Sequence, residues 1–357
     1  IIDSVIQQYK SGVSTLKIAA QLGINQQTVS NTLVRYGVKL KPTGPYRVKT
    51  LREDAFDVLT PESAYWLGVL ATDGSIVENL TGSTMIQLVL QAQDYNCVEH
   101  FKNFMQAGHA IRLSASSHPL NPDIRLLRWG INFRSNTLAA KLAEYGIVPR
   151  KTYTLEVKGG VEFNRDFWRG AIDGDGHLGI HMQNQGPDAV VKLDGASEKF
   201  ILQFQNFLKK SGVRGDQHII SSTTKGSLST RSKFTLKLGV RAALDAVALL
   251  YTDCTQALSR KARKAAEMIV EGSERNLVGT VRTQWRDERA IAWARNYLKM
   301  HPTNAVVFSQ DAIKRLRALP HDVVEKLPQS TLEILAPIYG TVVSSATTGD
   351  GVCACGR

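Results

Sequence analysis

The sequence predicts an α+β protein in which one folding unit occurs twice behind a short helical domain. Two similar helical stretches, each ending in Asp-Gly, lie 175 − 73 = 102 residues apart. That spacing is too long for a solenoid unit and fits a duplicated domain. β-rich runs and amphipathic helices follow each stretch in the order αββαββα. The first 36 residues carry apolar positions at helical spacing, which indicates a separate helical element.

Length and charge limit the classes of function. The chain has 357 residues, enough for two or three domains that bury a core without disulfides. Its net charge of +12 favours a polyanionic partner such as nucleic acid. The four cysteines form neither a disulfide framework nor a zinc-site spacing, and no apolar run reaches the roughly 18 residues of a membrane span. We therefore expect an intracellular, cytoplasmic protein that associates with the nucleoid and has no secretion signal.

Residues 1–38 are predicted to form a helix-turn-helix domain. Gly23 lies at the turn between two helices, and Asn25 is placed to cap the second one. The stretch 18–38 resembles the DNA-binding helix-turn-helix of bacterial recombinases and regulators. Amides at the exposed start of the second helix would suit adenine in a major groove, whereas an ordinary helical hairpin would leave them solvated. The candidate DNA-reading residues are Gln26, Gln27, Ser30 and Asn31.

Residues 39–60 are predicted to form a basic linker. Their prolines, glycine and positive charges suit an extended tether more than a packed element. Such a tether can follow DNA phosphates, or it can be a solvated linker without a ligand. The residues with a predicted DNA contact are Lys39, Lys41 and Arg47.

The duplicated helices share a glycine in the same frame. The first helix begins near Thr60 and the second near Asn164, and each has a glycine, Gly68 or Gly170, five residues before its aspartate. Glycine in a helix interior costs about 0.5–1 kcal/mol relative to alanine, so its repetition needs a packing reason. Close approach of the two helices supplies that reason. We therefore predict that they cross at these two glycines.

This crossing would bring Asp73 and Asp175 together at the C-terminal ends of the two helices. Each carboxylate would face the negative end of a helix dipole and repel the other, and a divalent cation relieves both effects. Mg²⁺ is suited to a site with few carboxylates, waters and phosphate oxygens. The alternative is that each Asp-Gly is only a helix stop. A calcium-binding loop is excluded because Leu178 stands where that loop requires glycine.

The rest of the duplicated unit follows from hydrophobic periodicity. In the first half, strands are predicted at 85–90, 111–114 and 126–133, and helices at 95–105 and 136–145. In the second half, strands are predicted at 189–193, 218–221 and 234–238, and helices at 200–210 and 242–251. The predicted boundaries are 61–158 and 159–280 for the two halves, 281–340 for a helical extension and 341–357 for a disordered tail.

Both helices resemble the LAGLIDADG motif of the homing endonuclease, or meganuclease, family. Trp66 to Gly74 and Trp168 to Gly176 align with it residue for residue, and the similarity extends over roughly residues 60–280. Two motifs in one chain resemble the monomeric members, whose pseudo-symmetric halves place saddle-shaped antiparallel sheets in the major groove of a long asymmetric site. The motif has a second acidic position, which is occupied by Asp173 in the second copy but by Ala71 in the first. In the family that position is not a metal ligand.

The resemblance implies a metal-dependent endonuclease that hydrolyses both strands of double-stranded DNA. Asp73 and Asp175 would be the catalytic acids that bind metal, and the carbonyls of Thr72 and Gly174 would complete the metal contacts. Mg²⁺ is the expected cofactor and Mn²⁺ the alternative, whereas Ca²⁺ is expected to support binding without cleavage. The family's members move with inteins or introns, so homing is the expected biological role.

The resemblance also implies a basic residue beside each metal site. Lys237 is the candidate in the second half and Arg134 in the first, at the end of the fourth strand of each half; either could equally be a phosphate contact. Lys151 and Lys261 close the two halves in a way common in the family, and we expect them to contact DNA. A solvated basic face is their alternative.

Two other classes of function share the fold. A transcription regulator would keep the fold for DNA binding alone, and an RNA-splicing maturase can retain both acids. The intact acids and the N-terminal position of the helix-turn-helix favour the endonuclease over the regulator. Only a DNA cleavage assay separates the endonuclease from the maturase. His177 and His181, four residues apart after the second motif, are expected to face DNA or to be structural.

Overall fold

The computed structural model describes residues 2–40, 49–78, 82–183, 186–225, 230–274, 285–303 and 305–339. The chain divides into two compact units, Ile1–Lys49 and Thr50–Arg357. The predictions for Lys41, Arg47 and the tail 341–357 lie outside the described residues. Within the described ranges, each helix is too short or too polar to cross a membrane.

The first unit consists of three short helices in its described part: α1 (Ile2–Lys10), α2 (Thr15–Leu22) and α3 (Gln26–Arg35). Their apolar faces bury one small core that includes Val5, Ile18 and Leu33. Gly23 ends α2 with φ +64°, a left-handed conformation that glycine adopts without steric cost. The Asn25 side chain accepts a hydrogen bond of 2.8 Å from the Gln27 amide and so caps α3, as predicted.

The second unit begins earlier than the sequence predicted, so the boundary 39–60 for the linker is wrong at its C-terminal end. Ala55 and Phe56 are buried in the large core. The Arg52 amide donates to the Met105 carbonyl at 2.8 Å. Composition alone suggested a tether, but the apolar side chains in this stretch are sufficient to pack it against the following domain.

The described residues of the second unit form two antiparallel sheets with the same strand order, which confirms the α+β class. In each sheet the first strand pairs with the second, the second with the fourth, and the fourth with the third. The first sheet comprises β1 (Gly74–Glu78), β2 (Thr84–Gln91), β3 (Arg112–His118) and β4 (Asn121–Arg134); the second comprises β5 (Gly176–Gln183), β6 (Gly186–Gly195), β7 (Gln217–Lys225) and β8 (Thr230–Leu238).

Helices complete the two halves in the predicted order αββαββα. The first half has α4 (Pro61–Thr72), α5 (Tyr95–Phe104) and α6 (Asn136–Glu144); the second has α7 (Arg165–Asp175), α8 (Glu198–Lys210) and α9 (Val240–Tyr251). Thr60 and Ser63 form a reciprocal capping box at the start of α4, and Asn164 caps α7. α4 ends at Thr72, and the chain enters β1 directly after Asp73.

One face of each sheet is buried and the other is exposed. On β2, Ile86 and Leu88 are buried against the helices, whereas Gln87 between them is partly exposed. This alternation follows from the two-residue period of a strand. The outward face of each sheet therefore carries the polar side chains.

Further helices follow the second half: α10 (Ser259–Glu274), α11 (Glu288–Met300), α12 (Gln310–Arg317), α13 (His321–Val324) and α14 (Gln329–Tyr339). The extension packs against the first half of the same unit. The ring of Phe308 lies 5.3 Å from that of Tyr95, measured between centroids, and the Arg125 amide donates to the Lys326 carbonyl at 2.7 Å. The helical character predicted for 281–340 is thus seen in the described part of that range.

Candidate active site

α4 and α7 cross at Gly68 and Gly170, as the sequence predicted. A Cβ on Gly68 would lie 2.0 Å from the Phe167 carbonyl oxygen, and one on Gly170 would lie 2.1 Å from the Tyr65 carbonyl oxygen. Both distances are far shorter than a van der Waals contact, so any side chain would force the backbones apart. The two helices are therefore held at a separation that only glycine allows.

The crossing places the acidic ends of α4 and α7 against each other. Asp73 is the C-terminal cap of α4, and Asp175 is the last residue of α7. A Cβ on Gly174 would lie 2.6 Å from Oδ2 of Asp73 and 2.0 Å from Oγ1 of Thr72. The Asp73 carboxylate thus lies directly against the backbone that precedes Asp175. Gly174 was predicted for its carbonyl; the structure adds that its missing side chain makes room for Asp73.

Burial acts on both carboxylates, and the charge of Asp175 also acts on Asp73. Burial, followed by the charge of Asp175, raises the pKa of Asp73 from 3.8 to about 7, and the charge of Lys261 opposes this rise. Desolvation also raises the pKa of Asp175, although this residue is exposed, and Lys261 and Lys151 oppose the rise. Groups that are costly to ionise in a metal-free protein are typical of a site that gains a cation.

Lys261 is buried at the C-terminal end of α7, which corrects its assignment as an exposed DNA contact. Its Nζ donates to the carbonyls of Ile172 at 2.5 Å, Gly176 at 2.7 Å and Gly174 at 3.2 Å. Burial lowers the pKa of Lys261 to about 8, although Asp173 opposes this effect. An ammonium group at this position neutralises the negative end of the helix dipole.

Lys151 has the corresponding position in the first half and requires the same correction. Its side chain is buried, and Nζ donates to the Gly74 carbonyl just beyond the end of α4. Burial lowers its pKa, and the charges of Asp175 and Asp73 oppose that effect. Both lysines follow an arginine, at Arg150 and Arg260. This repeated Arg-Lys pair is the sequence signal that could have identified them as part of the site.

Lys237 and Arg134 do not lie beside the acids. Lys237 pairs with Lys192 on β6, and β6 separates it from the strand that follows Asp175. Arg134 is exposed and pairs with Met85 on β2. Gly74, which follows Asp73, pairs with Leu88, three residues further along the same strand. That these residues support a metal site stays a prediction; the register places Lys237 and Arg134 on strands that do not pair with the strands following the two acids. Both remain on the outward faces of their sheets.

The other acidic position of the second motif is structural. Asp173 is buried and accepts hydrogen bonds from Tyr65 Oη at 2.9 Å, Tyr251 Oη at 2.6 Å and the Leu258 amide at 2.6 Å. These donors satisfy a carboxylate away from water. The matching residue in the first half, Ala71, is buried without a charge. This difference agrees with the prediction that the position is not a metal ligand.

The two residues whose carbonyls were predicted to complete the metal contacts, Gly174 and Thr72, make different hydrogen bonds. The Gly174 carbonyl already accepts the 3.2 Å hydrogen bond from Lys261, which leaves one of its two lone pairs. Thr72 directs its hydroxyl back to the carbonyls of Val69 and Gly68, at 3.1 and 3.3 Å. Both residues nevertheless lie in the last turn of their helices, immediately before the two acids.

The outward faces of the two sheets differ in charge at equivalent positions. In the second sheet, His177, Lys192, Lys237 and His218 form one cross-strand row. In the first sheet, the row at the same distance from the acid is Ser75, Gln87 and Asn132. Like charges directly opposite each other destabilise a sheet, so the Lys192–Lys237 pair is suited to an anionic ligand.

The first unit presents some of its predicted DNA-reading side chains to solvent. Gln27 and Asn31 are exposed and joined by a 2.9 Å hydrogen bond from Nε2 to Oδ1, and Lys39 is also exposed. Gln26 is partly buried and donates to Thr15 Oγ1 at 3.0 Å, and Ser30 is partly buried. Gln27 and Asn31 are therefore the more accessible of the predicted contacts.

No model of a known protein family and no curated protein matches the chain. Solved structures that resemble it include homing endonucleases and meganucleases. They include I-WcaI bound to its DNA recognition sequence (11% identity, 64% of this chain and 96% of that one, TM-score 0.41). The LAGLIDADG homing endonuclease I-GzeII in complex with its DNA target has 9% identity over 59% of this chain and 89% of that one, with a TM-score of 0.38. I-SmaMI bound to uncleaved DNA with calcium ions has 10% identity over 60% and 92%, with a TM-score of 0.34.

Proposed function

We propose that this chain is a LAGLIDADG homing endonuclease that hydrolyses both strands of a long, asymmetric double-stranded DNA target with divalent metal. The observation that carries the proposal is the convergence of Asp73 and Asp175 from paired helix ends, with Gly174 against the Asp73 carboxylate. This arrangement joins the two copies of the motif into one site. A helix stop in each half would not need the two ends to meet.

The residues at this site fit Mg²⁺. Two carboxylates stand at the negative ends of two helices, and the pKa of Asp73 is raised to about 7 by burial and by Asp175. Mg²⁺ is held by one or two carboxylates, with waters and phosphate oxygens as its other ligands. The charge of Lys261 offsets only part of the rise in the pKa of Asp73, and a bound divalent cation would lower that pKa further. Mn²⁺ has the same ligand preference, and Ca²⁺ would occupy the site with a looser geometry.

In this proposal Asp73 and Asp175 hold the ions and orient the scissile phosphates, one on each strand. Lys261 fixes carbonyls at the end of α7, Lys151 fixes the Gly74 carbonyl just beyond the end of α4, and their charges favour an ionised Asp175. Bound divalent ions activate water and stabilise the leaving oxygen. Because a single chain supplies both acids, the protein would act as a monomer with two pseudo-symmetric halves.

The two sheet faces would read the two halves of the target differently. Glutamine and asparagine pair with adenine in the major groove, whereas lysine prefers guanine O6 and N7. The Gln87–Asn132 row therefore favours adenine in one half-site, and the Lys192–Lys237 row favours guanine in the other. Each good base contact contributes roughly 1–3 kcal/mol of discrimination. The helix-turn-helix would extend the footprint beyond one end of this site.

Selection from a randomised DNA duplex library tests the proposal. Full-length protein with Mg²⁺ should enrich cut molecules that share one asymmetric site, and Ca²⁺ should retain the same molecules uncut. Asp73→Asn protein provides the control for contaminating nucleases. If the protein binds one DNA site in Mg²⁺ and in Ca²⁺ but never cuts it, the protein would be a transcription regulator. Splicing of a structured RNA without DNA cleavage would indicate a maturase.

A further inference from the structure

Two histidines converge on the outward face of β5, next to the acidic site. Nε2 of His177 and Nε2 of His181 are 2.9 Å apart, and the ring centroids are 5.1 Å apart. Both residues are exposed. Residues four apart in a strand are separated by about 13 Å along the chain, so both rings must fold towards each other to meet.

Gly179, between the two histidines, makes this convergence feasible. It lies on the same face of β5, where a side chain would normally separate its neighbours. A Cβ there would lie 3.3 Å from Nε2 of His181 and 3.4 Å from Nε2 of His177. The imidazoles thus meet directly above the glycine. We call His177, Gly179 and His181 the histidine clamp.

The dimensions of the clamp match those of two imidazoles on one metal ion. With metal–nitrogen bonds of about 2.0–2.1 Å in tetrahedral geometry, the two nitrogens are about 3.3 Å apart and the ring centres about 5 Å apart. The observed centroid separation already agrees with that value, and the nitrogens would need to separate by only a few tenths of an ångström. Exposed side chains allow so small a movement.

We propose that the histidine clamp binds a borderline divalent transition-metal ion such as Zn²⁺ or Ni²⁺. Imidazole nitrogens prefer these ions, whereas the oxygen ligands of Asp73 and Asp175 prefer Mg²⁺. Within the described part of the chain, no group of three or more histidine, cysteine or carboxylate side chains is arranged around a metal position. The clamp therefore supplies two ligands, and water completes the coordination. Metal binding by the clamp does not require nuclease activity, although His177 lies in the cross-strand row that would face DNA in the proposed function.

Titration of Zn²⁺ into metal-free, full-length protein without DNA tests the clamp, with bound metal measured by calorimetry and by equilibrium dialysis. His177→Gln and His181→Gln should each lower Zn²⁺ affinity roughly tenfold or more, because loss of a residue that only supports a metal ligand already costs about 10–100-fold. Gly179→Ala should also weaken binding, because its methyl group would occupy the space between the rings. Mg²⁺ in excess should not displace the Zn²⁺.

Two control variants separate the clamp from other sites. His218 lies on the same sheet face, but its cross-strand neighbour is Lys237 and not a histidine. His218→Gln should therefore leave Zn²⁺ affinity unchanged. Asp175→Asn should retain clamp binding, because its carboxylate is not a ligand of this site. Equal Zn²⁺ affinity in the wild-type, His177→Gln and His181→Gln proteins would overturn the proposal, and so would loss of all binding in Asp175→Asn. Neither result bears on DNA cleavage.

Discussion

Gly68 and Gly170 pack backbone against backbone, and their contact determines where the two acids meet. A Cβ on Gly68 would lie 3.0 Å from the Cα of Gly170, and a Cβ on Gly170 would lie 3.1 Å from the Cα of Gly68. From this crossing, each chain segment continues for five residues to its aspartate. The meeting of Asp73 and Asp175 therefore depends on two residues that bear no functional group.

Alanine at either crossing glycine should lower stability and activity together. Gly68→Ala and Gly170→Ala are each expected to reduce the free energy of unfolding by about 1–3 kcal/mol or more, because the new methyl group overpacks a backbone contact. Urea unfolding measures the loss. Gly195→Ala provides a matched control, since its Cβ would meet only side-chain atoms, the nearest at 3.3 Å on Ile201. Wild-type stability in both crossing variants would show that the helices do not pack through these glycines.

Neutralising either acid should separate DNA binding from DNA cleavage. We expect Asp73→Asn and Asp175→Asn to abolish double-strand cleavage with Mg²⁺ while target affinity in Ca²⁺ stays within a few-fold of wild type. In the proposed function each acid holds metal and neither reads a base, so cleavage should fail while recognition persists. Gel-shift and plasmid cleavage assays on one target measure both quantities. Undiminished cutting by either variant would contradict the assignment of two sites.

The buried lysines should matter more to cleavage than the strand lysine that the sequence favoured. Lys261→Met leaves three carbonyls without their donor and removes a charge that lowers the pKa of both acids, so single-turnover cleavage should slow at least tenfold. Lys151→Met should act in the same direction. Lys237→Met should mainly weaken DNA binding and leave the rate at saturating protein unchanged. If Lys237→Met slowed cleavage more than Lys261→Met did, Lys237 would be the basic residue that supports the proposed metal site.

The raised pKa of Asp73 predicts a pH-dependent stability in metal-free protein. Between about pH 4 and 7 the folded state keeps a proton that the unfolded chain has released, so stability should fall as the pH rises through this window. A shift from 3.8 to about 7 corresponds to at most about 4 kcal/mol. In EDTA, Asp73→Asn should remove the contribution of Asp73 to the pH dependence of the free energy of unfolding. The free energy of unfolding of the variant minus that of wild type should therefore increase from pH 4.5 to pH 8. A constant difference across that range would contradict the raised pKa.

The features that repeat in a fixed frame could be predicted from the sequence alone. Gly68, Gly170 and the two aspartates recur at the same spacing, so one pattern located the helices, their crossing and the acids. Hydrophobic alternation likewise located strands such as β2 and β4, although it missed their terminal residues. Strand ends are set by pairing with neighbouring strands, which a local pattern does not contain.

The rest of the site depends on contacts between distant parts of the chain. Lys151 meets a carbonyl 77 residues away, and Lys261 meets carbonyls 85 to 89 residues away. No local periodicity reports such contacts, so both lysines were expected at the surface. The distance of Lys237 from Asp175 likewise follows from the register of β5, β6 and β8. The residues of a repeated motif are therefore easier to predict than the groups that support them.

The N-terminal unit should contribute to DNA affinity without contributing to the chemistry. Gln27 and Asn31 are exposed on α3, and both acids belong to the separate unit that begins at Thr50. Deleting residues 1–40 should shorten the nuclease-protected footprint at one end of the target. The slope of log K against log salt should become less steep, by about 0.9 for each phosphate that the shortened protein no longer neutralises.

Base reading by this unit can be distinguished from contact with phosphates alone. Gln27→Ala with Asn31→Ala should weaken binding by roughly 1–3 kcal/mol for each base that is no longer read, with little change in the salt slope, because neither side chain carries a charge. Lys39→Ala should instead reduce the slope and weaken all sequences alike. Cleavage at saturating protein should be unaffected in the deletion and in both sets of variants, because Asp73 and Asp175 remain. A footprint and a salt slope identical to those of the full-length protein would show that the first unit does not touch this target.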